Sequence, residues 1–193
     1  MKRMAVILAL AVVASSAGCT SQQQAAAPAT GKKSDAHPDR DPESLVASGR
    51  AYADAGDLVR AEQYFVAALD HGADYNTVLP LLLRVCLSSN HYRYAIDHVE
   101  VALARDPTNS RLRFVSGSLH LLVGAHGTAR ERLEQAAREL AEDPEVQFQV
   151  AAFFRDDLAD KVNADRYFRQ YLRIAPQGAH APEARASLME ALH

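Results

Sequence analysis

A chain of 193 residues that is 48% apolar and 23% charged, with no Trp, lies in the range of one or two globular domains and outside collagenous or broadly disordered chains. Its formal net charge of −3 becomes −5 once Lys2 and Arg3 leave with an N-terminal leader, which argues against a general nucleic-acid role. After a leader and a tether, about 150 residues remain, enough to bury roughly 68–70% of the unfolded surface without a metal or disulfide staple.

Met1-Lys2-Arg3-Met4 places positive charge before the apolar run Ala5 to Ala14, which is too short to span a bilayer core of roughly 30 Å as a helix. Residues 1–18 therefore read as a secretory signal. Ser16-Ala17-Gly18-Cys19 follows and resembles the lipobox of bacterial lipoproteins, with Ser16 where Leu is usual. The resemblance implies that Cys19 is acylated and becomes the new N-terminus; the alternative is ordinary cleavage after Ala17, with Cys19 left as a thiol. Thr20 in place of Asp implies, by the same resemblance, sorting to the outer membrane with the chain facing the periplasm. If Cys19 is lipidated, Cys86 stands alone and no internal disulfide can form. Cys86 lies among Leu82, Leu83, Val85 and Leu87 and reads as a buried, inert thiol.

Residues 19–40 comprise that Cys and a Gln/Ala/Pro/Ser/Lys-rich stretch without apolar periodicity, which reads as a flexible tether of about 25 Å r.m.s. span. Residues 41–193 carry an internal repeat. Ala61, Ala95, Ala129 and Ala164 recur at steps of 34, 34 and 35, and Phe65, Val99, Leu133 and Phe168 keep the same step. Gly49 and Gly117 stand 68 apart, as do Gly56 and Gly124; Ala68, Ala102 and Ala136 continue the register. Asp41-Pro42, Asp106-Pro107 and Asp143-Pro144 place a capping carboxylate before Pro, marking helix starts or turns between repeats. Gly56-Asp57, Ser89-Asn90, Gly124-Ala125 and Ala159-Asp160 divide each unit into two helices of roughly 12–15 residues. Leu45, Leu79, Phe65, Leu133 and Phe168 are expected to fill the seam between paired helices, with small residues opposite them allowing close approach. His180 to Leu192 has Ala181, Ala184, Leu188 and Ala191 at helical spacing and reads as a capping helix over 180–192.

These residues resemble the tetratricopeptide repeat (TPR), whose small residues at positions 8, 20 and 27, aromatic near 24 and Pro near 32 are matched by units 42–75, 76–109, 110–143 and 145–178. One inserted residue is placed near Asp143. Leu83 at position 8, Arg113 at position 4 and Tyr171 at position 27 depart from the pattern. The resemblance implies an all-α, right-handed solenoid in which the first helix of each unit lines a concave, peptide-binding groove. Its positions carry over to Val46, Arg50 and Asp54, then Pro80, Arg84 and Leu87. The third unit supplies Arg111, Phe114, Ser118 and Leu121; the fourth supplies Gln149, Phe153, Asp156 and Asp157. Ordinary core packing competes with this role for Phe114 and Phe153, because a one-residue slip moves a side chain from groove to seam. The Lys and Asn with which chaperone-binding relatives clamp a terminal carboxylate are missing at those positions.

The sequence has no HExxH, GxSxG or CxxC, and a Gly-Lys pair occurs only in the tether at Gly31-Lys32. His91 and His98 would need a third ligand from elsewhere to hold a metal, and Asp156, Asp157 and Asp160 read as a solvated helix end. Arg130, Glu131, Glu134, Arg138, Glu139 and Glu142 read as a solvated, mixed-charge helix face. The expectation is a non-enzymatic, cofactor-free and metal-free adaptor with a protein or peptide partner in the cell envelope, a membrane contact through Cys19, and neither nucleic acid nor small-molecule substrate. In layout it resembles the small TPR lipoproteins that help type IV or Tad-type pili and secretins assemble. An accessory regulator of an envelope enzyme, such as a peptidoglycan synthase or hydrolase, is the competing reading.

Overall fold

The computed structural model describes residues 41–189; the signal, Cys19 and the tether lie outside the described residues. Four helix pairs and a short last helix follow in chain order: α1 (Pro42–Asp54) with α2 (Leu58–Asp70), α3 (Tyr75–Ser88) with α4 (Tyr92–Arg105), α5 (Ser110–Leu122) with α6 (His126–Glu139), α7 (Pro144–Asp156) with α8 (Lys161–Ile174), and α9 (Ala181–Ala186). No strand occurs among the described residues.

Local chemistry sets the ends. Asp41, Asp57, Asp74, Asn109, Asp143 and Asp160 each accept a hydrogen bond from the backbone N–H three residues on, pairing a donor the first helical turn leaves unmatched. Asp106 lies one turn earlier than a cap of α5 would; its carboxylate accepts from the Thr108 hydroxyl and the Asn109 amide and is held below the usual carboxylate range by those bonds. It shapes the turn between repeats. Inside each pair the chain reverses through one left-handed residue: Gly56, Asn90, Gly124 and Ala159, with φ of 79°, 59°, 75° and 53°. Alanine is the costly member of that set, because its Cβ crowds the following carbonyl by roughly 1–2 kcal/mol. Ala159→Gly is accordingly expected to raise stability by up to about 1 kcal/mol, the strain relief being partly offset by a freer unfolded chain. An unchanged or lower denaturation midpoint would show that this turn is unstrained.

The 34-residue period is a packing period. Ala61, Ala95, Ala129 and Ala164 are all buried, as are Phe65, Val99, Leu133 and Phe168. A Cβ on Gly49 would come within 2.7 Å of the Phe65 ring, and one on Gly117 within 2.8 Å of Leu133 Cγ. These glycines are where paired helices touch. In the second repeat Leu83 takes that place, and α3 and α4 are the least closely packed of the four pairs. Leu83 is only partly buried, while Leu82 and Cys86 fill the interior beside it. Leu119 of α5 joins the core of the first two repeats and Phe114 of the same helix joins the core of the last two, so α5 bridges them.

Two boundaries differ from expectation. The extra residue of the fourth repeat sits in the α7–α8 turn, residues 157–160, not near Asp143, because α7 starts at Pro144 directly after its Asp143 cap. The fourth repeat therefore begins at 144, and every side chain of α7 moves one position from the register expected for 145–178. The capping helix also stops early: α9 ends at Ala186, and Ala191 and Leu192 lie outside the described residues. The reason lies in α8, where the Asp165 carboxylate accepts from the Met189 N–H at 2.8 Å and Arg169 donates to the Met189 carbonyl, drawing the chain out of helical geometry. The cap still covers the last repeat, since Ala181 and Ala184 are buried and Leu188 packs on the same core.

The other two departures from the repeat have local reasons. Arg113 is buried because its guanidinium donates to the Glu139 carboxylate and to the Pro107 carbonyl, joining the end of α6 to the turn before α5. Tyr171 stands where the pattern has a small residue because the segment after α8 packs on it: its hydroxyl accepts from the His180 N–H at 3.0 Å, and Phe148 stacks on the His180 ring at 4.0 Å.

Candidate functional site

On a helix that turns about 100° per residue, position 8 of each first helix faces its partner helix, and positions 2, 9 and 13 lie 100–140° away, on the side that partner leaves open. Position 9 is Arg50, Arg84, Ser118 and, in the observed register, Ala152. Position 13 is Asp54, Ser88, Leu122 and Asp156. This row is the candidate binding face.

Arg50 and Arg84 are exposed, and neither meets a carboxylate within 4 Å among the described residues. Leu87 and Leu121 are partly buried and pack against the cores beneath the row. Leu122, beside Leu121, is 42% exposed and was not singled out from the sequence. The signal was available: a leucine stands where the neighbouring repeats have Asp, Ser and Asp. Pro80 and Val46 flank the row, Pro80 fully outward on α3.

Six expected groove residues are otherwise engaged. Arg111 is exposed, yet its guanidinium pairs with the Asp143 carboxylate at 2.5 Å, which ties α5 to the cap of α7. Phe114 is only 6% exposed and belongs to the core, so it forms the base of the row and not its surface. Phe153 is 2% exposed and packs edge-on against Phe154 at 5.5 Å. Placing it in the groove is corrected by the α7 register: Phe153 follows Leu119 by 34 residues, and Leu119 packs on the preceding repeat. Asp157, also expected in the row, is the exposed C-cap residue of α7 and belongs to the turn. Gln149 is partly buried and donates to Glu145 at 2.6 Å, and Asp156 pairs with Arg155 at 2.7 Å.

The residues of α7 that do take row-flanking positions are Phe148 and Arg155, and the C-terminal segment covers both. Arg155 donates to Glu183 at 2.9 Å and to the Ser187 hydroxyl at 2.7 Å. The open part of the row is thus that of the first three repeats, with arginine at one end and leucine at the other.

The second helices present a different surface. Arg130 pairs with Glu134 and Arg169 with Asp165, both one helical turn apart, and Arg173 reaches Glu142. Arg132 and the Ser116 hydroxyl share the Glu100 carboxylate. His91 pairs with Glu62 at 2.8 Å, while His98 receives the Tyr75 hydroxyl, so the two histidines do not converge. No group of three or more potential metal ligands occurs among the described residues. Cys86 is buried, with Glu62 3.8 Å from its sulfur; burial, reinforced by that carboxylate, pushes the thiol up to about 12. A thiol so shifted carries almost no thiolate at neutral pH. A shallow cavity of about 460 Å³ opens between the starts of α1 and α3, lined by Glu43, Val46, Thr77 and Val78, but Asp41 and Asp74 on its wall are occupied as helix caps. No helix among the described residues is long and apolar enough to cross a membrane.

Comparison with solved structures agrees with this architecture: the chain has the fold of a TPR solenoid. A tetratricopeptide repeat protein from Parabacteroides merdae ATCC 43184 superposes with a TM-score of 0.66 at 21% identity, over 76% of this chain and 58% of that one, so the present chain spans little more than half its length. YrrB, a TPR protein with an unusual peptide-binding site, gives a TM-score of 0.63 at 14% identity over 76% and 75% of the two chains. MamA from Desulfovibrio magneticus RS-1 gives 0.61 at 20% identity over 72% and 78%. No family model matches the sequence. No curated protein matches it either.

Proposed function

We propose that this protein is a lipid-anchored scaffold that captures a protein or peptide partner on its first-helix row at the periplasmic side of the outer membrane, in the service of assembling an envelope machine such as a pilus or secretin. The observation that carries the reading is the row itself: Arg50, Arg84 and Leu122 stand exposed at positions 9 and 13 of the first helices with the partly buried Leu87 and Leu121 beside them, whereas most arginines on the second helices are already paired with carboxylates. A solenoid whose repeats bury their small residues internally leaves that face as its adaptable surface. TPR structures with similar folds include one described as having a peptide-binding site, which supports the class of partner. The lipobox-like Ser16-Ala17-Gly18-Cys19 supports the anchor, because each buried methylene of an acyl chain contributes about 0.8 kcal/mol to membrane partitioning.

One experiment addresses both parts. Photo-crosslinking residues introduced at Leu122 and, as a control, at Glu131 on α6 are compared in the native chain and in Cys19→Ala. The Leu122 probe is expected to give a discrete crosslinked partner in the outer-membrane fraction, with the Glu131 probe silent and Cys19→Ala remaining unprocessed or soluble. Crosslinks from Glu131 alone would move the binding surface to the second helices, and a Cys19→Ala chain that stays mature and membrane-bound would remove the anchor.

A further inference from the structure

We infer that the junction between the second and third repeats is an acid-sensitive switch, in which a proton taken up by the His120 ring unfastens the tie that Glu100 makes across it. That tie is one carboxylate on α4. It accepts from the Ser116 hydroxyl of α5 at 2.6 Å and from the Arg132 guanidinium of α6 at 2.8 Å, so one side chain of the second repeat holds both helices of the third.

His120 lies one turn beyond Ser116 on α5. Its ring is partly buried, and its Nδ1 is enclosed without a hydrogen-bond partner, the one such side-chain atom among the described residues. A neutral ring tolerates this: with the proton on Nε2, Nδ1 is a bare lone pair. A second proton changes the balance, because it puts an N–H and a charge where no acceptor is free, and a buried donor left unmatched costs its own desolvation. The charged groups that face the ring are Glu100 from α4, already shared, and Arg132 from α6, which repels an imidazolium. Burial, outweighing the pull of Glu100, holds the ring below the ordinary histidine value. The imidazolium either stays unpaired or draws the carboxylate off Ser116 or Arg132, and both outcomes loosen the tie.

The same position in the neighbouring repeats is built differently. Cys86 precedes His120 by 34 residues and Phe154 follows it by 34. The Cys86 thiol, beside Glu62, is pushed up to about 12 and keeps its proton from neutral pH into acid. The Phe154 ring, under the Arg130 guanidinium, has no proton to exchange. His91, at the first junction, faces the Glu62 carboxylate at 2.8 Å, an acceptor that His120 lacks. Loosening at His120 would also travel, since α5 joins the core of the first two repeats through Leu119 and that of the last two through Phe114. Two halves of the solenoid can then shift against each other. Because the fold favours the neutral ring, its contribution is whole above about pH 6.5, where the unfolded chain titrates, and is lost as the pH falls from there towards the lower folded value.

Spin labels attached through Ala104→Cys on α4 and Glu131→Cys on α6, both exposed positions, read the junction in the full chain in detergent. Their distance is expected to lengthen or broaden between about pH 7.5 and about pH 5, and to stay fixed in His120→Phe, whose ring takes no proton and whose shape the fourth repeat accommodates at Phe154. Acid should also lower the folded-to-unfolded ratio severalfold more in the native chain than in that variant. His98, likewise held low by burial, contributes to both curves alike. The ring resonances of His120, identified by their loss in the variant, should titrate below about 6.5. His120→Gln, which also stays uncharged, replaces His120→Phe should the latter not fold. An equal pH response of the distance in native chain and variant would overturn the switch, even if the midpoints differed, because His120 would then affect stability alone. Titration of His120 above about 6.5 would overturn it too, since Glu100 would be receiving the imidazolium and acid would tighten the junction.

Discussion

Gly117→Val is expected to destabilise the protein by about 1–3 kcal/mol, while Gly127→Ala, only ten residues away, should stabilise it by up to about 1 kcal/mol. Both glycines lie in helices, so propensity alone favours either substitution. Contact decides the sign. A Cβ at Gly117 would lie 2.8 Å from Leu133 Cγ and 3.1 Å from Arg132 Cβ, so α5 and α6 must separate to admit it. A Cβ at Gly127 meets nothing within 4 Å. Separation would not stay local, since Arg132 on α6 donates to Glu100 on α4 at 2.8 Å and links the third repeat to the second. In a solenoid, where each unit is stabilised by its neighbours, loosening one interface weakens the array. Denaturation midpoints of the two variants check the argument, and a Gly117→Val chain as stable as the native one would refute the role of glycine at this contact.

The same contacts explain why the fold was legible in the sequence. Close approach demands a small residue at fixed intervals, and Ala61, Ala95, Ala129 and Ala164 with Gly49 and Gly117 print that demand directly onto the chain. Turns were legible for a similar reason, as Gly56 and Gly124 supply the left-handed backbone the reversals require. The register of α7 was not legible. Ala151 and Ala152 are adjacent, and either satisfies a small-residue requirement; the extra residue fits the linker at Asp143 or the turn at Ala159 equally well by counting. Only packing distinguishes them, because Ala151 is buried and Ala152 is not. Partners distant in sequence were hidden too. Nothing near Arg111 announces that Asp143 will neutralise it, and nothing near Tyr171 announces that its hydroxyl will meet the backbone of His180. Exposure of Leu122 follows from the helix wheel, but its meaning depends on knowing that the C-terminal segment closes the fourth repeat and leaves the third open.

Phe153→Ala is expected to cost about 3–5 kcal/mol of stability and to leave peptide affinity per folded molecule unchanged. The ring is fully enclosed and borders Phe154, which itself stacks on Tyr167 of α8 at 5.5 Å and lies under the Arg130 guanidinium of α6. Removing it opens a cavity in the core of the last two repeats, and the lost transfer energy adds to the lost contacts of the surrounding side chains. Leu122→Ala should behave in the opposite way. With 42% of its surface already in water, its truncation is expected to shift stability by no more than about 0.5 kcal/mol while weakening capture of an apolar anchor. Pairing the two variants separates core from surface without knowledge of the natural partner, because denaturation reads one and titration of a selected peptide reads the other. A Phe153→Ala chain that kept its midpoint and lost peptide affinity would return α7 to the register in which Phe153 lines the binding face, and Arg155 and Phe148 would then have to leave the contacts with Glu183 and His180 that hold the last helix in place.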